Sequence, residues 1–241
     1  RTDVAMKTIG LIGGLSWEST ASYYRLLNQG VKKHLGGLHS ARILLNSLDF
    51  AEIEQMQAAD LWHEAAIELG QAALRLERIG ADCILICSNT MHKVADEVES
   101  LLNVPLLHIA DATGAPMQKN GITTAGLIGT RFTMEEDFYR GRLTSRFKLD
   151  CIVPEPDDRQ IIDRVIFSEL CRGIIKDDSR ARYRRIVNTL AKRGAEAVIL
   201  GCTEIGLLIN AADCRIPLYD TTELHVEQAL NFMLRDKLST H

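Results

Sequence analysis

Short apolar runs recur along the chain: Thr8 to Ile12, Ala41 to Leu48, Cys83 to Cys87, Val104 to Ile109, Thr124 to Ile128, Leu149 to Val153, Ala197 to Leu200 and Ile216 to Tyr219. Gly, Pro or polar residues bound each run, and stretches with helical spacing separate them, which is a βα alternation. Several runs are apolar without alternation, as expected of parallel strands covered on both faces. Trp62, Ala65, Ala66, Leu69, Ala72, Ala73 and Leu76 trace one helical stripe, and Gly80 is placed to stop that helix. The pattern predicts an α/β fold with mainly parallel sheets.

The sequence also repeats internally. Lys7-Thr-Ile-Gly-Leu-Ile-Gly-Gly matches Thr123-Thr-Ala-Gly-Leu-Ile-Gly-Thr at an offset of 116, and the Gly80 to Thr90 block matches Gly194 to Glu204 at 114. Val104-Pro-Leu-Leu-His matches Ile216-Pro-Leu-Tyr-Asp at 112. Three blocks in one order predict two pseudo-symmetric lobes, each a parallel sheet flanked by helices. The expected boundaries are 6–111 plus 218–241 for the first lobe, whose last helix (Leu224 to Leu234) packs back onto it, and 112–217 for the second. Ligands of open α/β sheets bind beyond the carboxyl ends of the strands, so the active site is expected in the interlobe cleft.

Composition narrows the function. Of 241 residues, 46% are apolar and 25% charged, and 28 Lys+Arg against 32 Asp+Glu leave a net charge of -4, which argues against nucleic-acid partners. No apolar run approaches the roughly 18 residues of a membrane span, and no signal-peptide layout opens the chain. A cytoplasmic protein is expected, with six reduced cysteines and no membrane partner. Arg1 to Ala5 precede Met6 and are set aside as an added leader.

The repeat places Ser88 opposite Cys202, each at a strand end and each followed by hydrogen-bonding residues, Asn89-Thr90 and Thr203-Glu204. A helix is expected after each. A thiol at a helix N-terminus has its pKa lowered by the macrodipole, and the same corners suit a carboxylate ligand. A small acid held there would have its α-carbon between two side chains. Cys202 reads equally as a buried small hydrophobe, and Ser88, Asn89, Thr90 and Thr203 as helix caps. Gly13 and Gly14, followed by Leu15 and Ser16, either let backbone approach a ligand or make a tight turn; Thr130 and Arg131 occupy the equivalent place in the second lobe. Cys83 and Cys87 lie about 13 Å apart along a strand, too far to share a metal ion with His92. Cys171 reads as core, the Arg180 to Arg185 run as a solvated face, and His34, His39, His63 and His225 have no evident partner.

These motifs resemble the aspartate/glutamate racemases, in particular the broad-specificity amino-acid racemase branch. The likeness spans about Met6 to Leu234 and includes Gly13-Gly-Leu-Ser-Trp-Glu-Ser-Thr, Ser88-Asn-Thr-Met-His, Ile109-Ala-Asp-Ala-Thr, Gly129-Thr-Arg-Phe-Thr-Met and Gly201-Cys-Thr-Glu-Ile-Gly-Leu-Leu. The resemblance implies an isomerase with no cofactor and no metal, a homodimer, and a small amino-acid substrate. In that family a Cys precedes the Asn-Thr of one lobe and a second Cys precedes the Thr of the other, the pair acting as acid and base. Here Ser88 stands at the first position, and Cys87, one residue earlier, should face the other side of the strand. The catalytic pair implied is Cys202, taking the α-proton of an L-amino acid such as glutamate or aspartate, and Ser88 or a water it orients, returning a proton. Asn89, Thr90 and Thr203 are implied as α-carboxylate ligands, with Gly13, Gly14, Leu15, Gln57 and Thr130 nearby. The Lys that some members carry near Cys171, and their Arg after the second strand, are not in this chain, where the loop reads Ser47-Leu-Asp-Phe-Ala-Glu-Ile-Glu. Two alternatives stand beside this reading: a decarboxylase or isomerase of the same superfamily, where arylmalonate decarboxylases use one second-lobe Cys, and a non-catalytic two-lobed protein that binds an acidic metabolite.

Overall fold

The computed structural model describes residues 6–238; Arg1 to Ala5 lie outside the described residues. In chain order the elements are β1 (Ile9–Gly13), α1 (Trp17–Leu35), β2 (Ile43–Ser47), α2 (Phe50–Ala58), α3 (Trp62–Arg78), β3 (Cys83–Ile86), α4 (Ala95–Glu99), α5 (Ile109–Lys119), β4 (Thr124–Gly129), α6 (Arg131–Glu135), α7 (Asp137–Phe147), β5 (Asp150–Ile152), α8 (Pro156–Ser168), α9 (Asp177–Lys192), β6 (Ala197–Gly201), β7 (Leu218–Asp220) and α10 (Thr221–Leu238). The described residues form two compact units, one of residues 6–108 and 225–238, the other of residues 109–224. Each is a parallel sheet between helices, as the pattern of apolar runs predicts.

In the first unit the strand order is β2-β1-β3, and in the second β5-β4-β6-β7. Successive strand residues face opposite sides, so each sheet feeds two cores. Ile12, Ile84 and Ile86 pack under α3, while Ile9, Leu11, Cys83, Leu85 and Cys87 pack with α1 and α10. In the second unit Ile128, Val198 and Leu200 meet α8 and α9, and Ala125, Leu127, Ala197 and Ile199 meet α5 and α7. Burying a Leu or Ile is worth about 1.5–3 kcal/mol, and a one-residue slip would turn each set to the wrong face.

The repeat holds at the level of register. Offsets of 116 and 114 carry the pair Ile9–Cys83 onto Ala125–Ala197, and both pairs are matched partners in parallel ladders. Offsets of 114 and 112 carry the bridge Ile84–Leu106 onto the pair Val198–Leu218. Helix endings repeat as well. Gly80, at φ 103°, closes α3 by donating to Glu77 O while Ala81 donates to Leu76 O. Gly194, also at φ 103°, closes α9 through Ala191 O and Leu190 O in the same pattern. A positive φ of this kind is open to glycine at no steric cost.

The run Val104 to Ile109, expected as a strand, makes only the single bridge at Leu106. The N–H groups of Asn103 and Val104 are given to the Glu77 carboxylate, Pro105 has none, and α5 opens at Ile109. The division of the chain also falls elsewhere than the sequence suggests, at 108/109 and 224/225. Residues 109–111 and 218–224 stand with the second unit, since β7 is hydrogen-bonded to β6. Beyond that point α10 supplies Val226, Ala229, Leu230, Met233 and Leu234 to the first unit's core.

Candidate active site

The first unit's corner lies at the carboxyl end of its sheet. The register Ile12–Ile86 places Gly14 and Ser88 just beyond adjacent strand ends. Ser88, Asn89 and Thr90 are all buried. The chain then winds into a 3-10 turn over Thr90–Val94 rather than directly into an α-helix. Ser88 Oγ accepts the Met91 N–H at 3.3 Å, and His92 Nδ1 meets the Ser88 carbonyl at 2.6 Å. A carbonyl only accepts, so Nδ1 is the protonated ring nitrogen. Gln57, buried on α2, donates to Met91 Sδ at 3.0 Å, which brings it to the same corner.

Both glycines here are required by local packing. A Cβ on Gly13 would meet the Thr20 side chain and Leu45, and one on Gly14, at φ 77°, would run into the Leu48 backbone. The Gly14 N–H is held by Thr20 Oγ1 at 2.8 Å, and Leu15 is buried in the core under α3. Cys87 is fully buried among the residues facing α1 and α10, and burial pushes its thiol pKa far up. Cys83 is likewise pushed up to about 12. Among the described residues no group of three or more His, Cys, Asp or Glu is arranged to hold a metal ion, and no helix is long and apolar enough to cross a membrane.

The second corner is chemically different. Gly129 and Gly201 are paired, and a Cβ on Gly129 would meet the Gly201 carbonyl at 2.7 Å, so Thr130 and Cys202 leave adjacent strands close together. The Cys202 thiol, 7% exposed, donates to Glu204 Oε2 at 2.9 Å, and Thr203 Oγ1 donates to the same oxygen at 3.0 Å. Thr222 Oγ1 reaches the Thr203 carbonyl at 3.5 Å, and Thr221 Oγ1 reaches that of Leu200 at 2.7 Å. Thr130 caps α6 through the Thr133 N–H at 3.4 Å. Arg131 is exposed, its backbone N–H bound to Asp163 and its guanidinium over the Phe132 ring.

The expected low thiol pKa is corrected by this geometry. Only a three-residue 3-10 turn, Ile205–Leu207, follows Cys202, so no long helix dipole acts on it. Burial first, and the adjacent Glu204 charge second, hold the thiol well above its ordinary value. The resting group is therefore the thiol, hydrogen-bonded to the Glu204 side chain. The sequence named Glu204 only as a hydrogen-bonding neighbour; its place two residues after a strand-end Cys was the available signal. His92, His108 and His225 form a ring cluster that sequence reasoning missed: His92 and His108 lie 4.4 Å apart, and His92 and His225 5.8 Å. The Arg180 to Arg185 run is paired and not merely solvated, Arg180 with Asp177 and the Leu208 carbonyl, Arg185 with Asp158.

The Asp/Glu/Hydantoin racemase family model matches residues 12–229. The chain is 22% identical over 150 residues to the broad specificity amino-acid racemase RacX of Bacillus subtilis, a match covering 62% of this chain and 64% of that protein. A crystal structure from Yersinia pestis assigned to the Asp/Glu racemases superposes with a TM-score of 0.89 at 52% identity, covering 95% of this chain and all (100%) of the other. An aspartate racemase homologue from Pyrococcus horikoshii OT3 gives a TM-score of 0.80 at 33% identity, with 95% and 99% covered. At 14% identity and a TM-score of 0.64, a Francisella tularensis glutamate racemase, covering 96% of this chain and 82% of that one, shares the fold.

Proposed function

The chain belongs to the Asp/Glu/hydantoin racemase family and so is a racemase-type isomerase; on that premise we propose that it inverts acidic amino acids, with L-glutamate or L-aspartate favoured, by proton transfer between unlike groups. Cys202 gives its proton to Glu204, takes the α-proton of the L-enantiomer as thiolate, and is left as thiol. A proton from Ser88, or from a water Ser88 orients, reaches the opposite face of the carbanion and gives the D-product. Exchange with solvent restores both sides. Asn89, Thr90 and Thr203 hold the α-carboxylate, with Gly13, Gly14, Leu15, Gln57 and Thr130 lining the approach. A homodimer in the cytoplasm, working without a cofactor, is part of the same proposal.

The observation that carries this reading is the 2.9 Å hydrogen bond from the Cys202 thiol to Glu204, at the repeat position of Ser88. A carboxylate acceptor stands beside the thiol, and the hydroxyl corner has Thr90 at the corresponding place. One direction should dominate, because a hydroxyl is a far weaker base than a thiolate. The test is α-proton exchange in deuterium oxide with each enantiomer of glutamate and aspartate. Exchange should favour the L-forms, and Cys202→Ala should lower it about 100-fold or more, the usual size of a general base contribution. Ser88→Cys should raise the rate from the D-enantiomer. Equal rates in both directions, or exchange untouched in Cys202→Ala, would overturn the assignment.

The same asymmetry favours one second reading, decarboxylation of a substituted malonate, in which a single thiol protonates the carbanion left by CO2. Release of CO2 from an arylmalonate by the wild type and not by Cys202→Ala would select it.

A further inference from the structure

The two corners differ in how the residue at the strand end is held. In the second unit the Ile205 N–H donates to the Cys202 carbonyl at 3.1 Å. The repeat-related N–H in the first unit belongs to Met91, and it is given to the Ser88 hydroxyl oxygen at 3.3 Å. The Ser88 carbonyl is taken by His92 Nδ1–H at 2.6 Å. A side chain has replaced a backbone donor, and the backbone donor has moved to the hydroxyl. With an Oγ lone pair occupied by an N–H, the Ser88 proton is the part of the group left to give.

The imidazole that makes this exchange is itself held. Its ring lies against His108 at 4.4 Å and His225 at 5.8 Å. His225 Nε2 meets the Leu107 carbonyl at 2.6 Å and so carries the proton, and its Nδ1 accepts from Tyr23 Oη–H at 2.6 Å. None of this is repeated in the other unit. The positions related to His92 and His108 are Gly206 and Asp220, and a side chain on Gly206 would collide with the Asp220 carboxylate.

We propose that His92 is a positioning residue for Ser88: its Nδ1–H occupies the Ser88 carbonyl, frees the Met91 N–H for the Ser88 hydroxyl, and so orients that hydroxyl as a proton donor. The inference rests on the proposed pairing of Cys202 with Ser88. It assigns to the first corner a device that serves the return of the proton and leaves its removal by Cys202 untouched.

The experiment compares inversion with exchange in retained L-substrate, both read in deuterium oxide on L-glutamate and L-aspartate. His92→Phe keeps a stacked ring without the donor; His92→Asn keeps an N–H near the Nδ1 position. His92→Phe should lower inversion about tenfold or more, the scale of a misplaced reacting group, with Cys202-dependent exchange within about twofold of wild type on the same basis. His92→Asn should restore most of the inversion. An unchanged ratio of inversion to exchange in His92→Phe, or an equal fall in both, overturns the proposal. The imidazole tautomer is read independently by 15N NMR of the wild type: a neutral ring protonated at Nδ1 supports the assignment, and one protonated at Nε2 overturns it even if the variant fails to fold. Wild type without Cys202-dependent exchange would instead sink the Cys202–Ser88 reading, while the tautomer still decides the placement of His92.

Discussion

Glu204 carries two opposed effects at the scale of single residues. Its charge, after burial, raises the Cys202 pKa, and in the proposed mechanism its Oε2, hydrogen-bonded to that thiol, is the base that receives the thiol proton. Glu204→Gln separates the two. Removing the charge should speed alkylation of Cys202 by iodoacetamide several-fold at fixed pH, because thiolate becomes more accessible. Removing the base should slow α-proton exchange by about tenfold or more. Peptide mass spectrometry and NMR exchange read the two rates, and slower alkylation would show that the carboxylate does not raise the thiol's pKa. Cys202 and Ser88 are legible in the sequence as repeat-related strand-end positions, 114 residues apart. The thiol's high pKa was not, since burial is a property of the folded neighbourhood and a strand-end motif does not reveal it.

The elements show how local rules and long-range demands divide the chain. The αL closures at Gly80 and Gly194 and the apolar stripe of α3 follow from residues within a few positions of one another, so the sequence displays them. At the short bridge at Leu106 the Val104 N–H goes to Glu77, 27 residues away, a partner that the apolar run, which by itself predicts a full strand, does not display. Helix α10 supplies a test at this scale. Burial lowers the His225 pKa to about 4 from 6.5. The unfolded chain therefore binds a proton between those values that the folded chain does not, and stability rises with pH across that window. The contribution is fully present above about pH 6.5 and lost as pH falls toward 4. Comparing urea unfolding at pH 7.5 and 4.5, His225→Gln should remove about 2–3 kcal/mol of the wild type's pH dependence. Identical slopes in the two proteins would show that the imidazole is not the group responsible.

For the molecule as a whole, two units with separate cores imply that damage to one need not spread evenly. Leu230, from α10, packs among Leu27, Val31 and Met233 in the first unit's core and fills the space left by Gly30. Leu230→Ala should cost about 2 kcal/mol or more, as large-to-small core changes do. Amide hydrogen exchange should report lost protection in β1 and β3 ahead of β4 and β6. A uniform loss would mean that the units unfold as one.

The sequence by itself determined the α/β alternation, the two-fold internal repeat, the return of the last helix to the first core, and the alignment of Cys202 with Ser88 in that repeat. Each of these is written in periodicity or in self-similarity, which need no knowledge of distance. Tertiary structure alone decided where the chain divides, the carboxylate's hold on Cys202, and the histidine cluster behind Ser88. His92 and His225 are 133 residues apart in the chain, yet their ring centroids lie 5.8 Å apart. Contacts of that kind, and the desolvation that shifts a buried group's proton affinity, arise only when packing brings distant residues together and removes water from around them.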